Sequence, residues 1–372
     1  TNFKTTTVTE LVANTLKTIT ATGAATTVDV GTITSTALTS VDATGLTAGG
    51  IKVGVGANLA TTVKGGAGND TVTIAGAAVM TGTIDGGAGT DTLALSTAAS
   101  LTAATGKLFT NFETLQVSAA AAETYDTTFI SGITSYKVAA SAGTAELSNL
   151  AAAPTVTVIG DAAGVKLTLK DATGGSDVAN VTLDNGKTDA TLTNNGVTVT
   201  KLTALGVETV NIHSNGLVTG AAATANTVTN DVLNVNLSKV AIDGSQAFKF
   251  VTGATTVALT VDASAATGNG TIDATGATKL VNINGGLGND TITASAVATS
   301  GGLVAGGKGG DAIALGGGTD TLVFKAASDS LQDFTGVAGV AGKGTMDAVT
   351  AFISGTDKID LTSLNFTTAT TK

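Results

Sequence analysis

Short runs in which apolar and polar residues alternate recur along most of the chain. This period of two is typical of β-strands that bury one face. Clear examples lie at residues 155–158, 166–169, 195–199 and 232–237. Helical periodicity is weak almost everywhere, and Val8–Leu16 is the best helix candidate. The pattern therefore predicts an all-β protein with little helix.

A nine-residue motif, Gly-Gly-x-Gly-x-Asp-x-aliphatic-x, separates some of these runs. It starts at Gly65 and returns at Gly285, in the second half of the chain. A second copy follows each of these at the same interval, at Gly86 and at Gly306. A further copy follows in tandem at 315–323, with leucine in place of its first glycine.

The duplication is longer than the motif itself. Residues 41–95 align with 261–315 without a gap. A second phrase, Phe-Glu-Thr-Leu-Gln-Val at 112–117, is echoed by Val-Glu-Thr-Val-Asn-Ile at 207–212. Repeated units that have no core of their own are stacked in solenoids. We therefore expect right-handed parallel β-solenoid or β-roll blocks that together form an elongated molecule.

Each part of the motif has a structural reason. Glycine allows the positive φ angles of a tight turn, whose carbonyl oxygens point inward. Aspartate adds a carboxylate on a short side chain. Calcium binds about six to eight oxygens and accepts backbone carbonyls as well as carboxylates. One turn supplies only part of that set, so we expect an ion to bind between stacked turns and to crosslink successive coils.

The composition suits a narrow coil better than a broad globular core. Of the 372 residues, 42% are hydrophobic but only 3% are aromatic, and 49 are glycine. Small side chains bury little apolar area, at about 25 cal/mol per Å², whereas glycine raises the entropic cost of folding. We therefore expect folding to be marginal without a ligand, and metal binding can contribute the missing free energy.

The charge balance favours a cation as that ligand. Acidic residues number 28 against 18 basic ones, all of them lysine, and the net charge is −10. Nucleic acid is not expected as a partner, because phosphate binding needs clustered Lys and Arg. No apolar run reaches the ~18 residues of a membrane-spanning helix, so we do not expect the chain to span a membrane.

Enzymatic chemistry is not expected. His213 is the only histidine, it follows a predicted strand, and we expect a structural or surface role for it. The chain has neither the His-Glu-x-x-His motif of zinc proteases nor the Gly-x-Ser-x-Gly motif that presents a nucleophilic serine. Because cysteine is absent, a zinc or other soft-metal site is disfavoured.

The motif copies, and above all the tandem pair at 306–323, resemble the RTX (repeats-in-toxin) family. These are calcium-dependent β-rolls of bacterial proteins that are exported by type I secretion. In that family the ion lies between turns on the same edge and is bound by the aspartate and by alternate turn carbonyls. The resemblance implies calcium ligands at the carboxylates of Asp70, Asp91, Asp290, Asp311 and Asp320, and in the turns at Gly66, Gly68, Gly86, Ala88, Gly286, Gly288, Gly306, Lys308 and Gly309.

The chain departs from this family in three places. Two nine-residue copies make a regular coil of about 18 residues, whereas the interval here is 21, so we expect an irregular ligand set. Lys308 lies inside one of the expected cation sites, and we expect it to offer its carbonyl and to point its amine outward. The tail at 346–361 resembles the C-terminal part of RTX exoproteins and adds Asp347 and Asp357 as candidate ligands, although Ala351 replaces a usual aspartate.

The Glu-Thr phrase among Thr- and Ala-rich strands, beside RTX-like blocks, resembles the type I-secreted surface-layer (S-layer) proteins of Gram-negative bacteria. The resemblance implies a secreted structural protein of the cell surface that folds and self-assembles when it binds calcium outside the cell. Its partners would be copies of itself and, through a region outside this sequence, lipopolysaccharide or another cell-surface glycan. Two alternatives stay open: an RTX adhesin that binds a glycan or matrix, and the calcium-folding secretion module of an exoenzyme.

The repeats divide the chain into five predicted segments. They are a β-rich lead-in (1–40), a first RTX-like calcium block (41–118), a Thr/Ala-rich β-solenoid or β-sandwich region for lattice contacts (119–260), a second RTX-like block (261–325) and a C-terminal cap (326–372). Because the sequence begins at Thr1 without methionine, we expect it to be part of a longer protein.

Overall fold

The computed structural model describes residues 5–7, 10–24, 27–186, 196–216, 224–231, 233–297, 301–326, 329 and 346–364. Contacts divide the chain into two compact units. The first comprises 1–151, 155–157 and 161–170, and the second comprises 152–154, 158–160 and 171–372. This division falls inside the predicted 119–260 segment, and the five-segment scheme stays a prediction.

The described residues form strands and turns, with three short 3-10 helices. The helices are Ala98–Ser100, Thr105–Leu108 and Thr127–Phe129. The strands up to residue 170 are β1 (Thr5–Thr7), β2 (Glu10–Leu11), β3 (Thr18–Gly23), β4 (Thr27–Ile33), β5 (Ser40–Leu46), β6 (Gly50–Val55), β7 (Thr62–Lys64), β8 (Thr71–Ile74), β9 (Ile84–Asp85), β10 (Thr92–Leu95), β11 (Phe109–Thr110), β12 (Thr114–Val117), β13 (Glu123–Asp126), β14 (Ser135–Val138), β15 (Ser141–Leu150), β16 (Thr155–Val158) and β17 (Ala162–Leu169).

The second unit continues in the same style. Its strands are β18 (Val178–Leu183), β19 (Thr198–Leu205), β20 (Thr209–Ser214), β21 (Asn226–Asn230), β22 (Lys239–Gly244), β23 (Phe248–Val251), β24 (Leu259–Ala266), β25 (Gly270–Asp273), β26 (Val281–Asn284), β27 (Thr291–Thr293), β28 (Leu303–Ala305), β29 (Ala312–Ala314), β30 (Thr321–Val323), β31 (Ala348–Thr350) and β32 (Lys358–Asp360).

Most strands pair in parallel with the strand two places further along the chain. In the first unit β4, β6, β8, β10, β12 and β14 form one sheet in this order, and β3, β5, β7, β9 and β11 form another. In the second unit the even strands β18 to β32 and the odd strands β19 to β31 form two such series. The chain therefore winds from one sheet to the other and back in each coil. The predicted all-β, right-handed parallel β-solenoid is confirmed.

Buried aliphatic side chains stack from coil to coil between the sheets. Ile74, Leu95, Val117 and Val138 face each other in register on β8, β10, β12 and β14, and all four are buried. Each such side chain contributes about 1.5–3 kcal/mol when it is fully buried. These positions are the apolar members of the alternating runs, so the pattern that predicted the strands also defines the core.

The helix predicted over Val8–Leu16 is wrong for the residues that the structure describes there. Glu10 and Leu11 form β2, which pairs with Thr32 and Ile33 of β4, and a turn follows at 14–15. An isolated helix of this length is marginal. The parallel ladder to β4 instead supplies the backbone hydrogen bonds.

Candidate metal centre

The motif copies form turns that stack directly on one another. In the first unit the turn at 65–70 joins β7 to β8, and the turn at 86–91 joins β9 to β10. Because Thr71 pairs with Thr92, the two turns lie one coil apart. The equivalent turns of the second unit precede β27 and β29, where Thr291 pairs with Ala312.

The aspartate of each first copy is buried and fully hydrogen-bonded. Asp70 accepts the Ile51 N–H at Oδ1 (2.5 Å) and the Gly66 N–H of its own turn at Oδ2 (2.8 Å). Asp290 accepts the Gly270 N–H (2.6 Å) and the Gly286 N–H (2.5 Å) in the same way. These two carboxylates therefore join one coil to the coil before it without any ligand.

The aspartate of each second copy is only half satisfied. Asp91 Oδ1 accepts the N–H of Asp70 at 2.7 Å, and Asp311 Oδ1 accepts the N–H of Asp290 at 2.8 Å. Asp91 Oδ2 and Asp311 Oδ2, here called the orphan oxygens, are buried without a partner among the described residues. Each of these aspartates is 1% exposed. A buried polar group left unpaired costs about 1–3 kcal/mol, and more when it is charged.

In each unit, one of the predicted carbonyls hydrogen-bonds to the backbone of the following turn. The Gly66 carbonyl accepts the Ala88 N–H at 3.0 Å, and the Gly286 carbonyl accepts the Lys308 N–H at 3.0 Å. A carbonyl oxygen has two lone pairs, so one hydrogen bond leaves it able to bind a cation. The Lys308 residue is exposed, as expected for a lysine that offers only its backbone.

Glycine is required at these turns because the coils approach so closely. A Cβ added to Gly89 would lie 2.6 Å from the Gly68 carbonyl oxygen, and one added to Gly309 would lie 2.3 Å from the Gly288 carbonyl oxygen. Both glycines also have positive φ angles, 138° and 119°. A side chain at either position would therefore push the stacked turns apart and strain the backbone.

The tandem copy at 315–323 lies on a different edge of the coil. Its turn joins β29 to β30, whereas the turn at 306–311 joins β28 to β29. Asp320 accepts the Gly302 N–H (2.9 Å) and the Gly316 N–H (2.8 Å), which resembles the satisfied pattern of Asp70. Asp357 in turn accepts the Asp320 N–H at 3.0 Å. Asp320 and Asp357 therefore form a second ladder, which is not shared with Asp290 and Asp311.

Asp347, by contrast, belongs to the series of hydrogen bonds that links Asp290 and Asp311. Its Oδ1 accepts the Asp311 N–H at 2.9 Å. The two candidates from the C-terminal tail, Asp347 and Asp357, thus belong to different edges. Although both residues lie in the segment that resembles the C-terminal part of RTX exoproteins, they do not share one site.

Sequence reasoning missed the part that Glu113 takes. Its Oε2 accepts the Asp91 N–H at 2.7 Å, and the same bond joins Asp177 N–H to Glu208 Oε2 at 2.8 Å. Each glutamate lies in the repeated Glu-Thr phrase and directly precedes a strand, β12 or β20. The sequence separation between Asp91 and Glu113 could have indicated this contact, because it corresponds to about one coil.

Burial and neighbouring charge disfavour the ionised form of these aspartates. Burial raises the pKa of Asp91 to about 6, and the negative charges of Asp70, Glu113 and Asp85 add to the rise. Burial likewise raises the pKa of Asp311 to about 7, with further contributions from Asp347, Asp290 and Asp329. The pKa of Asp290 is raised by burial to about 6. A site of this kind favours either a proton or a bound cation.

This arrangement predicts that the metal-free protein is more stable at mildly acidic pH than at neutral pH. A carboxyl group whose folded pKa is raised stabilises the fold most below its unfolded pKa, and this contribution is lost as pH rises through the folded value. For Asp91 and Asp311 the loss therefore begins near the unfolded value of 3.8 and extends to pH about 6 and about 7, respectively. In chelator, the urea midpoint should therefore rise as pH is lowered from about 8 to about 5. A midpoint that falls steadily over this range would contradict the raised pKa values.

A cation at these turns would have to bind mostly backbone oxygen. Among the described residues, no group of three or more carboxylate or imidazole side chains is placed to hold a metal ion. The orphan oxygens are nevertheless unpaired, buried and surrounded by other carboxylates. Calcium suits such a set because it accepts carbonyl oxygens and irregular geometry, whereas magnesium needs a near-octahedral shell.

His213 lies on β20, in a sheet of the second unit, and not in a motif turn. Its Nδ1 is 2.6 Å from Asp243 Oδ1, and the two residues are in register on β20 and β22. Both side chains are partly exposed.

Comparison of the chain with protein-family models and with curated proteins finds no match. Within the described residues, no helix is both long and apolar enough to cross a bilayer.

Proposed function

We propose that this chain is a calcium-stabilised structural protein of a bacterial surface layer, of the RTX type and exported by type I secretion. The observation that carries the proposal is the orphan oxygen, which recurs at Asp91 and Asp311, the equivalent positions of the two duplicated segments. An unpaired buried oxygen that is present at both equivalent positions of an internal duplication is better explained by a missing ligand than by imperfect packing. The β-solenoid fold is compatible with RTX-like repeat proteins.

The residues that would hold calcium are the second-copy aspartates and the turn carbonyls stacked on them. In the first unit these are Asp91 with backbone oxygens of Gly66, Gly68, Gly86 and Ala88. In the second unit they are Asp311 with those of Gly286, Gly288, Gly306 and Lys308. Calcium would supply the positive counter-charge for the orphan oxygens, and it would crosslink one coil to the next.

Calcium dependence links the fold to export and assembly. Inside the cell, where calcium is scarce, buried carboxylates without a counter-charge and a net charge of −10 oppose folding. An unfolded chain can pass through a narrow export channel. Outside the cell, calcium near the millimolar range fills weak sites and completes the coils. Folded copies then associate laterally, so the function is structural rather than catalytic.

Circular dichroism during a calcium titration tests this proposal. The chelated protein should gain β-signal as calcium is raised to ~10 mM, because each filled site adds binding free energy to folding. Magnesium at the same concentration is the control and should have a much smaller effect. A full β-spectrum in chelator that calcium does not change would refute the proposed role of the ion.

A further inference from the structure

In each half of the chain, an acidic residue from the next coil binds the backbone of the second-copy aspartate. Glu113 accepts the N–H of Asp91, and Asp347 accepts the N–H of Asp311. Neither acid belongs to a nine-residue motif, and they follow their aspartates by 22 and 36 residues. Two unlike stretches of sequence therefore place a carboxylate at the same point of the coil.

The following strand fixes each of these acids in place. Thr114 donates its N–H to the Asp91 carbonyl at 2.9 Å, and Ala348 donates its N–H to the Asp311 carbonyl at 2.7 Å. Neighbouring strands lie about 4.8 Å apart. Each added carboxylate is thus held one coil from a buried aspartate, and its side chain has little freedom to turn away.

The first site shows why this position matters for a ligand. Asp91 is 1% exposed, and its orphan oxygen lies against its own turn, 2.9 Å from where a Cβ on Gly86 would be. Three carboxylates act on Asp91, those of Asp70, Glu113 and Asp85. Asp70 is already held by two N–H groups, and Asp85 accepts the N–H of Gly87 and the amide of Asn111. Glu113 is the one of the three whose carboxylate binds Asp91 itself.

The second site keeps the acid but changes its neighbours. The position equivalent to Asp85 is Ala305, so that charge is lost. Asp347, Asp290 and Asp329 act on Asp311 instead. The charge next to the second-copy aspartate is therefore retained although the residues that supply it differ.

We propose that Glu113 and Asp347 set the affinity of the two turns for a divalent cation. Each adds a fixed negative charge and holds the backbone of the aspartate that carries the orphan oxygen. They act as positioning residues and not as ligands. This inference rests on the proposed binding of calcium at the two turns.

The test separates the charge of Glu113 from its hydrogen bond. Glu113→Gln keeps an oxygen that can accept the Asp91 N–H but removes the charge. It is compared in an Asp311→Asn background, which leaves the first site to be measured alone by calcium titration calorimetry. Glu123→Gln is the matched control, because Glu123 also accepts a backbone N–H, that of Ala98 at 3.1 Å, in the same unit.

We expect Glu113→Gln to weaken calcium binding roughly tenfold, because a charge one coil away acts through partly shielded protein. The urea midpoint in chelator should not fall, since the hydrogen bond remains. Glu123→Gln should leave calcium affinity unchanged. Asp347→Asn in an Asp91→Asn background should weaken the second site in the same manner.

Three results would overturn the inference, and each is distinct from failure of the proposed function. If the Asp311→Asn background binds calcium and Glu113→Gln binds it equally well, Glu113 does not set the affinity. If Glu123→Gln weakens binding as much as Glu113→Gln, the effect is one of overall charge. If Glu113→Gln loses stability in chelator as well, the role of Glu113 is structural. Absence of calcium binding in the unsubstituted chain would instead refute the proposed function.

Discussion

Gly285→Ala is expected to lower the free energy of unfolding by about 3 kcal/mol or more, among the largest effects of a single substitution. A Cβ on Gly285 would lie 1.9 Å from the carbonyl oxygen of Gly306, which belongs to the backbone of the next coil. That oxygen cannot move without breaking the stack of turns. A Cβ added to Gly65 would likewise lie 1.7 Å from the Gly86 carbonyl oxygen.

Gly175→Ala is the control for this prediction. It lies in the same unit, and nothing lies within 4 Å of the Cβ that alanine would add. The two variants should be compared by urea unfolding in chelator and again with calcium. Equal midpoints for Gly285→Ala and Gly175→Ala would show that the coils are not stacked as closely as described.

Much of the coil could be predicted from the sequence, because the interval between motif copies equals the spacing between paired residues of neighbouring coils. The first and second copies of the motif in each half pair at Thr71 with Thr92 and at Thr291 with Ala312. The tandem copy is different, because nine residues are only about half a coil. Leu303 consequently pairs with Thr321, and the tandem turn lies on the other edge.

Hydrogen bonding within the turns could not be predicted in the same way. The first and second copies have nearly the same sequence, yet Asp70 accepts two N–H groups and Asp91 has an orphan oxygen. The difference lies in the neighbouring coils and not in the motif. Glu113 was missed for the same reason, since its partner belongs to the coil before it.

The helix candidate at Val8–Leu16 shows a different limit. Its local pattern allowed a helix, but Leu11 pairs with Ile33 of β4. Tertiary pairing decides the conformation of so short a segment, because local helix propensity contributes little.

Replacing both second-copy aspartates is expected to change stability in opposite directions with and without calcium. In chelator, the double variant Asp91→Asn, Asp311→Asn should be at least as stable as the parent at neutral pH, because two buried charges without a counter-charge are removed. With calcium at a hundredfold excess over Kd, the parent should gain about 2.7 kcal/mol per site. The variant should lose that gain at both sites.

The matched control removes two charges from partly exposed positions that are equivalent in the duplicated segments, Asp42 and Asp262. Each is bonded to the hydroxyl two positions further on, at 2.6 Å to Thr44 and 2.7 Å to Ser264. Asp42→Asn with Asp262→Asn has the same net charge as the test variant. It should keep the full response to calcium.

The most direct measurement of the central claim is the shift of the urea unfolding midpoint caused by calcium in these three proteins. We expect a large positive shift in the parent and in the Asp42, Asp262 control, and a shift close to zero in the Asp91, Asp311 variant. An equal shift in all three proteins would place any calcium elsewhere. No shift in the parent would show that the duplicated turns are stable without an ion.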